Sequence, residues 1–216
     1  MKRLFLAGAA LLAFSGGAAA QCVGVGGVNT VPQTGIVCIQ ESSAPSYAVT
    51  SIGIVPAAAP TDIFCITGSA TRTIRVKQVR VSGVAGTAIN ITANLNKHTV
   101  ADTGGTAAST IATGLPSFTP ADSTFPTTTA TAAAYTANPT IDASYTTVSA
   151  QTMFLPATGT AANGFPALWQ WDDGGPNISP PVLRGVAQQL CVSYNAVTTP
   201  SSGVVTVSML YTELPQ

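Results

Sequence analysis

The sequence contains a single histidine, His98, so any serine-histidine-aspartate hydrolysis would have to use it. Asp102 is close to it in sequence and is a candidate third member. The GxSxG motif that presents a nucleophilic serine on a sharp turn is absent, and nearness in sequence does not establish a triad. We therefore interpret His98 as a solvent-facing residue at a strand end and predict no catalytic residue and no enzyme activity.

Asp172 and Asp173, followed by two glycines, could offer oxygen ligands to calcium at a turn. The EF-hand spacing is absent and no third carboxylate is near, which favours a tight turn with two solvated acids. Zinc is also disfavoured, because no two cysteines share a CxxC spacing and the histidine is remote from them in sequence. We expect no metal and no cofactor.

Two tryptophans two residues apart, Trp169 and Trp171, would point to the same face of a strand. They could form a sugar-stacking platform or act as large core anchors, and the low aromatic content favours the core.

Four of the basic residues, Arg72, Arg75, Lys77 and Arg80, fall within one strand-like run. They could bind an acidic partner or a polysaccharide, or protect a sheet edge from unwanted pairing, and we favour the protective or structural interpretation. Arg75, Lys77, Arg80, the two tryptophans and the Asp172-Asp173 pair are retained as candidate contact residues for a partner or ligand.

Residues 1–20 have the features of a secretory signal peptide: Lys2 and Arg3, an apolar run from Leu4 to Phe14, and a small-residue stretch ending at Ala20. The apolar run is shorter than the roughly 20 residues that span a bilayer. We predict cleavage after Ala20 and export to the periplasm, the outer surface or the extracellular space, without a membrane span.

The mature chain would keep six basic residues against eight acidic ones, which gives no footprint for a nucleic acid. Four cysteines, Cys22, Cys38, Cys65 and Cys191, form an even set in an exported chain, where disulfides persist. Three pairings are open. We favour Cys22 with Cys38, which bracket a short glycine-rich segment, and Cys65 with Cys191, each of which lies in a strand-like run.

The elements that must position these residues are short β-strands. β-branched runs separated by Gly, Pro, Asn and Asp are typical of all-β proteins and are found at 47–55, 62–67, 73–82, 88–96, 145–155, 168–171, 182–185, 189–195 and 204–211. A bulge at Lys77 or Gln78 would keep both apolar pairs of the third run on one face. The last two runs resemble a hairpin.

A connection rich in Thr, Ala, Ser and Pro lies between residues 100 and 145. Connections of this length are often functional, so we predict that binding would occur there. Thr129 to Ala134 is the one place where a short helix could compete with strand. We predict one two-sheet, jelly-roll-like antiparallel β-sandwich over 47–216, preceded by a disulfide-stapled N-terminal arm over 21–46.

Four segments resemble small β-sandwich proteins encoded in tailed-phage and proteobacterial genomes, which are virion-associated or surface proteins: 61–83, 134–140, 153–156 and 183–195. The resemblance covers roughly 47–213. It implies a sandwich fold and a structural or surface role, and it brings no catalytic residue. The signal peptide and the cysteines at 65 and 191 depart from that pattern and favour an exported bacterial protein over a phage particle assembled in the cytoplasm.

These observations favour an exported, non-catalytic structural or interaction module that contacts a protein or glycan partner at the cell surface, or copies of itself. The alternatives are a carbohydrate-binding module using Trp169 and Trp171, a virion decoration-type protein, and a hydrolase centred on His98.

Overall fold

In the residues that it describes, the computed structural model has β-strands and a 3-10 turn at Ile111–Thr113. It describes residues 44–56, 61–161, 163–171, 179–194 and 203–216, and the backbone of two short strands before them. The strands are β1 (Val28–Thr30), β2 (Val37–Ile39), β3 (Ser46–Ile54), β4 (Asp62–Thr67), β5 (Arg72–Val84), β6 (Ile89–His98), β7 (Thr106–Ala107), β8 (Ser117–Pro120), β9 (Thr131–Ala137), β10 (Thr146–Leu155), β11 (Ala167–Gln170), β12 (Val182–Arg184), β13 (Gln189–Tyr194) and β14 (Val204–Pro215).

The chain divides into two units, 1–43 and 44–216. In the first, β1 and β2 form an antiparallel pair with Asn29 opposite Cys38. The predicted signal peptide, Cys22 and the side chain of Cys38 lie outside the described residues. No helix in the described part of the chain is long and apolar enough to cross a membrane.

Residues 44–216 form two antiparallel sheets, as the sequence predicted. The first sheet has the order β10-β6-β13-β4-β9-β7, and the second has the order β11-β5-β14-β3-β8, with β12 also paired to β5. Without β7, β8 and β9, the strands follow the jelly-roll arrangement: successive strands alternate between the two sheets, except that β6 and β10 pair within the first. The segment between β6 and β10 therefore inserts three strands at one side of an eight-stranded jelly roll, with β11 and β12 sharing one strand position.

Alternating apolar residues build the core between the sheets. In β5, Ile74, Val76, Val79 and Val81 are fully buried, although their spacing changes parity in the middle of the strand. Opposite β14, Leu210 pairs with Gln78 and Tyr211 with Val76, so Lys77 is an extra residue in the ladder. The predicted bulge is confirmed, and it keeps both apolar pairs on the core side.

Two local predictions were wrong. β13 and β14 do not form a hairpin: β13 pairs with β4 and β6, and β14 pairs with β3 and β5 in the other sheet. Both have the alternation of a hairpin because each buries one face in the same core. The alanine-rich segment suggested as a short helix lies mostly in β9, where pairing with β4 outweighs the helix propensity of alanine.

The inserted segment is held by a buried carboxylate. Glu213, at the end of β14, is 2% exposed. Its Oε1 accepts hydrogen bonds from the backbone N–H groups of Thr129 at 2.9 Å and Ala130 at 3.2 Å, and its Oε2 accepts one from the Thr129 hydroxyl at 3.1 Å. Charge-assisted bonds of this kind are stronger than neutral ones. Glu213 therefore fixes the approach to β9, one of the three short strands that the predicted binding connection adds to the sheets.

Candidate functional site

Three ionisable side chains meet on the side of the first sheet that faces away from the core. His98 ends β6, Asp62 begins β4, and Asp102 follows β6 in the inserted segment. Inward-facing Leu95 belongs to the core, whereas Asn96 and His98 lie on the opposite face by strand alternation. Pairing of β9 with β4 and of β7 with β9 extends the sheet beside them.

All three side chains are fully buried. His98 Nε2 lies 3.1 Å from Asp62 Oδ2, and His98 Nδ1 lies 3.4 Å from Asp102 Oδ1. The interpretation of His98 as solvent-facing was wrong, because residues after β6 fold back over the end of the strand. The structure does bring His98 and Asp102 together, as the hydrolase alternative required, and adds Asp62, which the sequence analysis missed.

The contacts in this cluster are close in distance but poorly aligned. Within the described residues, neither His98 nitrogen, neither Asp62 oxygen nor Asp102 Oδ1 has a partner at hydrogen-bond geometry. Buried charged groups normally have such partners, because the loss of water is otherwise uncompensated. These atoms therefore lie within ion-pair distance of one another without an aligned hydrogen bond.

Burial and charge set the ionisation of the cluster. Burial alone lowers the pKa of His98, but contact with Asp62 and the charges of Asp62, Asp102 and Asp142 outweigh it, so the pKa is raised above its ordinary value. Burial and the Asp62 charge raise the pKa of Asp102 to about 6, against the opposing effect of His98. Two protons are thus held more tightly than in the unfolded chain.

The Cys65–Cys191 disulfide lies against the cluster and confirms the predicted pairing. Cys65 and Cys191 face each other across β4 and β13, and both are fully buried. The Cys65 sulfur is 3.6 Å from Asp102 Oδ2, but in the disulfide it has no proton to donate. Ligand atoms of Asp62, Cys65, Asp102 and Cys191 all lie within 4.8 Å of one another.

Three further side chains position and cover the cluster. The Gln189 side-chain carbonyl accepts the Asp102 backbone N–H at 2.8 Å. Tyr145 stacks on the His98 ring, with centroids 5.5 Å apart and an angle of 22°, while remaining 45% exposed itself. Asp142 accepts the backbone N–H groups of Thr99 and Val100, which holds the start of the inserted segment over the end of β6.

The hydrolase alternative requires a hydroxyl or thiol nucleophile bonded to His98. Among the described residues, no hydroxyl is hydrogen-bonded to His98. The nearby sulfurs are bonded to each other. What the cluster offers is a buried group of one imidazole and two carboxyl groups.

The tryptophans lie elsewhere, at the side of the sandwich where β10 and β11 run near each other. Trp169 and Trp171 are 4% and 8% exposed and belong to the core, in agreement with the core interpretation. Their ring faces are not available for sugar stacking. Their edges contribute to a groove of about 460 Å³, which is lined mainly by Val148, Ser149, Gln151, Leu168, Gln170 and Ser179.

The other candidate contacts fall at different places. Asp172 and Asp173 lie outside the described residues. Arg75, Lys77 and Arg80 are on β5, which lies between β14 and the β11 and β12 strands, so the protected-edge interpretation was wrong. Arg75 and Lys77 are half-buried and Arg80 is exposed. These residues are not part of the His98 cluster.

A scan of protein-family models, a search of curated proteins and a search of solved structures each found no match to this chain. Function must therefore be argued from the sandwich and its surfaces.

Proposed function

We propose that this chain is an exported, non-catalytic structural module of the cell surface or extracellular space that works by pairing with a partner, including a second copy of itself. The observation that carries this proposal is the edge strand β10. It has ten residues and contains neither a charged residue nor a proline. Charges, prolines and short length are three of the devices that stop an edge from pairing, and β10 has none of these three. A bulge is another such device, and the ladder of β10 with β6 shifts register between Thr147 and Ser149, so an added strand would pair on either side of that shift.

The other ends of the sheets are better protected. β7 has two residues, β8 has four and β11 has four, which leaves little backbone to pair. The second half of β10 is partly covered, because Phe154 and Phe165 exchange two backbone hydrogen bonds and the Gln151 amide bonds both backbone groups of Leu168. Among the described residues, nothing pairs with the outer side of Thr146–Ala150, and the side chains of its first three residues are exposed.

Antiparallel pairing of this segment with its copy would make a two-fold symmetric interface and join two six-stranded sheets. The buried disulfide and the low charge suit a protein that must persist outside the cell.

Light scattering of the purified exported protein, with and without a charge on this edge, tests the proposal. Val148 is 41% exposed on β10, and Leu210 is 43% exposed on β14, an interior strand. We expect a dimer that Val148→Lys dissociates and that Leu210→Lys leaves intact. A wild-type protein that stays monomeric and binds no envelope, cell or matrix component would contradict the proposal.

A second candidate function is carbohydrate binding, which the groove between β10 and β11 favours. Its volume is within the usual range for small-ligand sites. The hydroxyl and amide groups of Ser149, Gln170 and Ser179 could bond sugar hydroxyls, with the tryptophan edges as apolar contacts. Binding to a glycan array that is lost in a folded Gln170→Ala variant would support this function. If the wild type binds no glycan on the array, the glycans on that array are excluded as ligands.

A further inference from the structure

We propose that the buried cluster is a binding site for one zinc-class divalent cation, ligated by His98 Nε2 and the Asp62 carboxylate, with Asp102 positioning the imidazole. The cluster is more than a group of acids. Five of its buried polar atoms have no hydrogen-bond partner among the described residues: His98 Nδ1 and Nε2, Asp62 Oδ1 and Oδ2, and Asp102 Oδ1.

The spacing of the atoms suits a shared cation. Zinc bonds to imidazole nitrogen and carboxylate oxygen are about 2.0–2.2 Å long, so two ligands of one ion are about 3.0–3.5 Å apart. His98 Nε2 and Asp62 Oδ2 are 3.1 Å apart. An ion in contact with both atoms would satisfy polar groups that burial has otherwise left without a partner.

Asp102 occupies the supporting position. Its Oδ1 lies 3.4 Å from His98 Nδ1, the ring nitrogen that faces away from Asp62. A histidine ligand usually donates its second N–H to a carboxylate, which fixes the tautomer and the direction of the ring. Gln189 in turn holds the Asp102 backbone at 2.8 Å. Asp102 is therefore a positioning residue in this site.

The donor set selects the class of cation. Imidazole suits zinc and its first-row neighbours, whereas calcium binds six to eight oxygens and magnesium requires near-octahedral oxygen coordination. One imidazole and one carboxylate, completed by water, fit a four-coordinate ion. The disulfide holds β4 and β13 together beside the site, and its sulfurs are not ligands while they are bonded.

The single histidine of the chain permits a direct test that needs no substitution. The exported protein is labelled with ¹⁵N-histidine, loaded with ¹¹³Cd²⁺ as a zinc analogue, and studied by NMR. We expect a direct cadmium–nitrogen coupling on Nε2, while Nδ1 stays protonated. Ring signals that are unchanged by the metal would overturn the site, and a coupling on Nδ1 would overturn the assignment of Asp62 as the co-ligand.

Metal retention in variants tests the separate roles of the two carboxylates. After dialysis against Zn²⁺ and then metal-free buffer, the wild type should retain one equivalent of zinc. Asp62→Asn and His98→Gln should lose it, whereas Asp102→Asn should bind about 10–100-fold more weakly. Asp122→Asn is the matched control, because Asp122 is an exposed carboxylate of the same inserted segment that bonds only Thr124 among the described residues.

Circular dichroism shows whether each variant is folded. If a variant does not fold, the NMR measurement on the wild type still tests whether its residue belongs to the site. Equal zinc retention in all the variants would refute the proposal, as would less than a tenth of an equivalent in the wild type.

Discussion

Removal of the Cys65–Cys191 disulfide should lower stability by an amount set by the length of the loop it closes. The two cysteines are 126 residues apart in sequence. On the chain-entropy model, a cross-link over that separation restricts the unfolded chain by about 5 kcal/mol. For a domain of this size each kcal/mol corresponds to about 2–4 °C in Tm, so the double variant Cys65→Ala/Cys191→Ala should melt about 10–20 °C lower.

The assay is urea unfolding together with thermal melting of the purified protein. Substitution is needed instead of a reductant, because both sulfurs are fully buried. The unfolding slope should also increase, since the unfolded chain without the cross-link exposes more surface. Cys65→Ser and Cys191→Ser should cost similar amounts, because each breaks the same bond.

The matched control is Cys22→Ala/Cys38→Ala. If these two cysteines are paired as predicted, they close a loop of about 15 residues, which corresponds to about 3 kcal/mol on the same model. A Cys65→Ala/Cys191→Ala variant that melts within about 2 °C of the wild type, with an unchanged slope, would refute the reasoning from loop length.

Three further predictions concern the cluster, the inserted segment and the strand packing. In the presence of a metal chelator, the free energy of unfolding should fall as pH rises from about 4 to 8. The reason is that the pKa of Asp102, about 6, and the pKa of His98 are both raised in the folded protein, so the folded state binds protons more tightly. Urea midpoints that rise with pH across this range would contradict the prediction. Glu213→Gln should lower the free energy of unfolding in urea by about 2–3 kcal/mol, because it removes the charged acceptor of the bonds from Thr129 and Ala130. An unchanged free energy would show that the carboxylate does not hold the segment. Gly83→Ala should cost about 1–3 kcal/mol, because a Cβ there would lie 2.4 Å from the Val204 carbonyl oxygen, and a variant as stable as the wild type in the same assay would show that the strands can shift freely.

The sign of the pH prediction depends on the groups around His98. A raised histidine pKa contributes stability that is present below the unfolded pKa and is lost as pH rises through the folded one. A raised carboxyl pKa acts in the same direction, from 3.8 to about 6 for Asp102. Asp142 acts in the opposite direction, because hydrogen bonds from Ser144 lower its pKa, but its contribution changes only below the ordinary carboxyl range. Tyr145, stacked on the ring, and Tyr135, whose pKa burial raises to about 12, stay neutral throughout.

Much of the sandwich could be predicted because strand patterns are local. β4 begins and ends at the predicted residues, and β5 has its bulge at one of the two predicted positions. The disulfide could be predicted because export and two strand-like runs favour the same pair. By contrast, β13 and β14 were assigned to one hairpin because alternation shows which face of a strand is buried and does not show which strand lies beside it.

The candidate site could not be predicted for a related reason. Asp62 and His98 belong to strands that are separated by β13, and Asp102 reaches them only because the inserted segment turns back over the end of β6. The short strands β7, β8 and β9 are rich in threonine and alanine and have no strong period, so their pairing depends on long-range contacts such as that of Glu213. A single histidine followed by a nearby aspartate was the one available signal of the site.

The central claim is that the chain is exported and acts by association. Intact mass spectrometry coupled to light scattering, on protein isolated from the cells and the medium of its native host, tests it most directly. We predict a mass corresponding to Gln21–Gln216 less four hydrogens, in a defined oligomer. A reduced, uncleaved monomer recovered from the cytoplasm would contradict both the compartment and the proposed role.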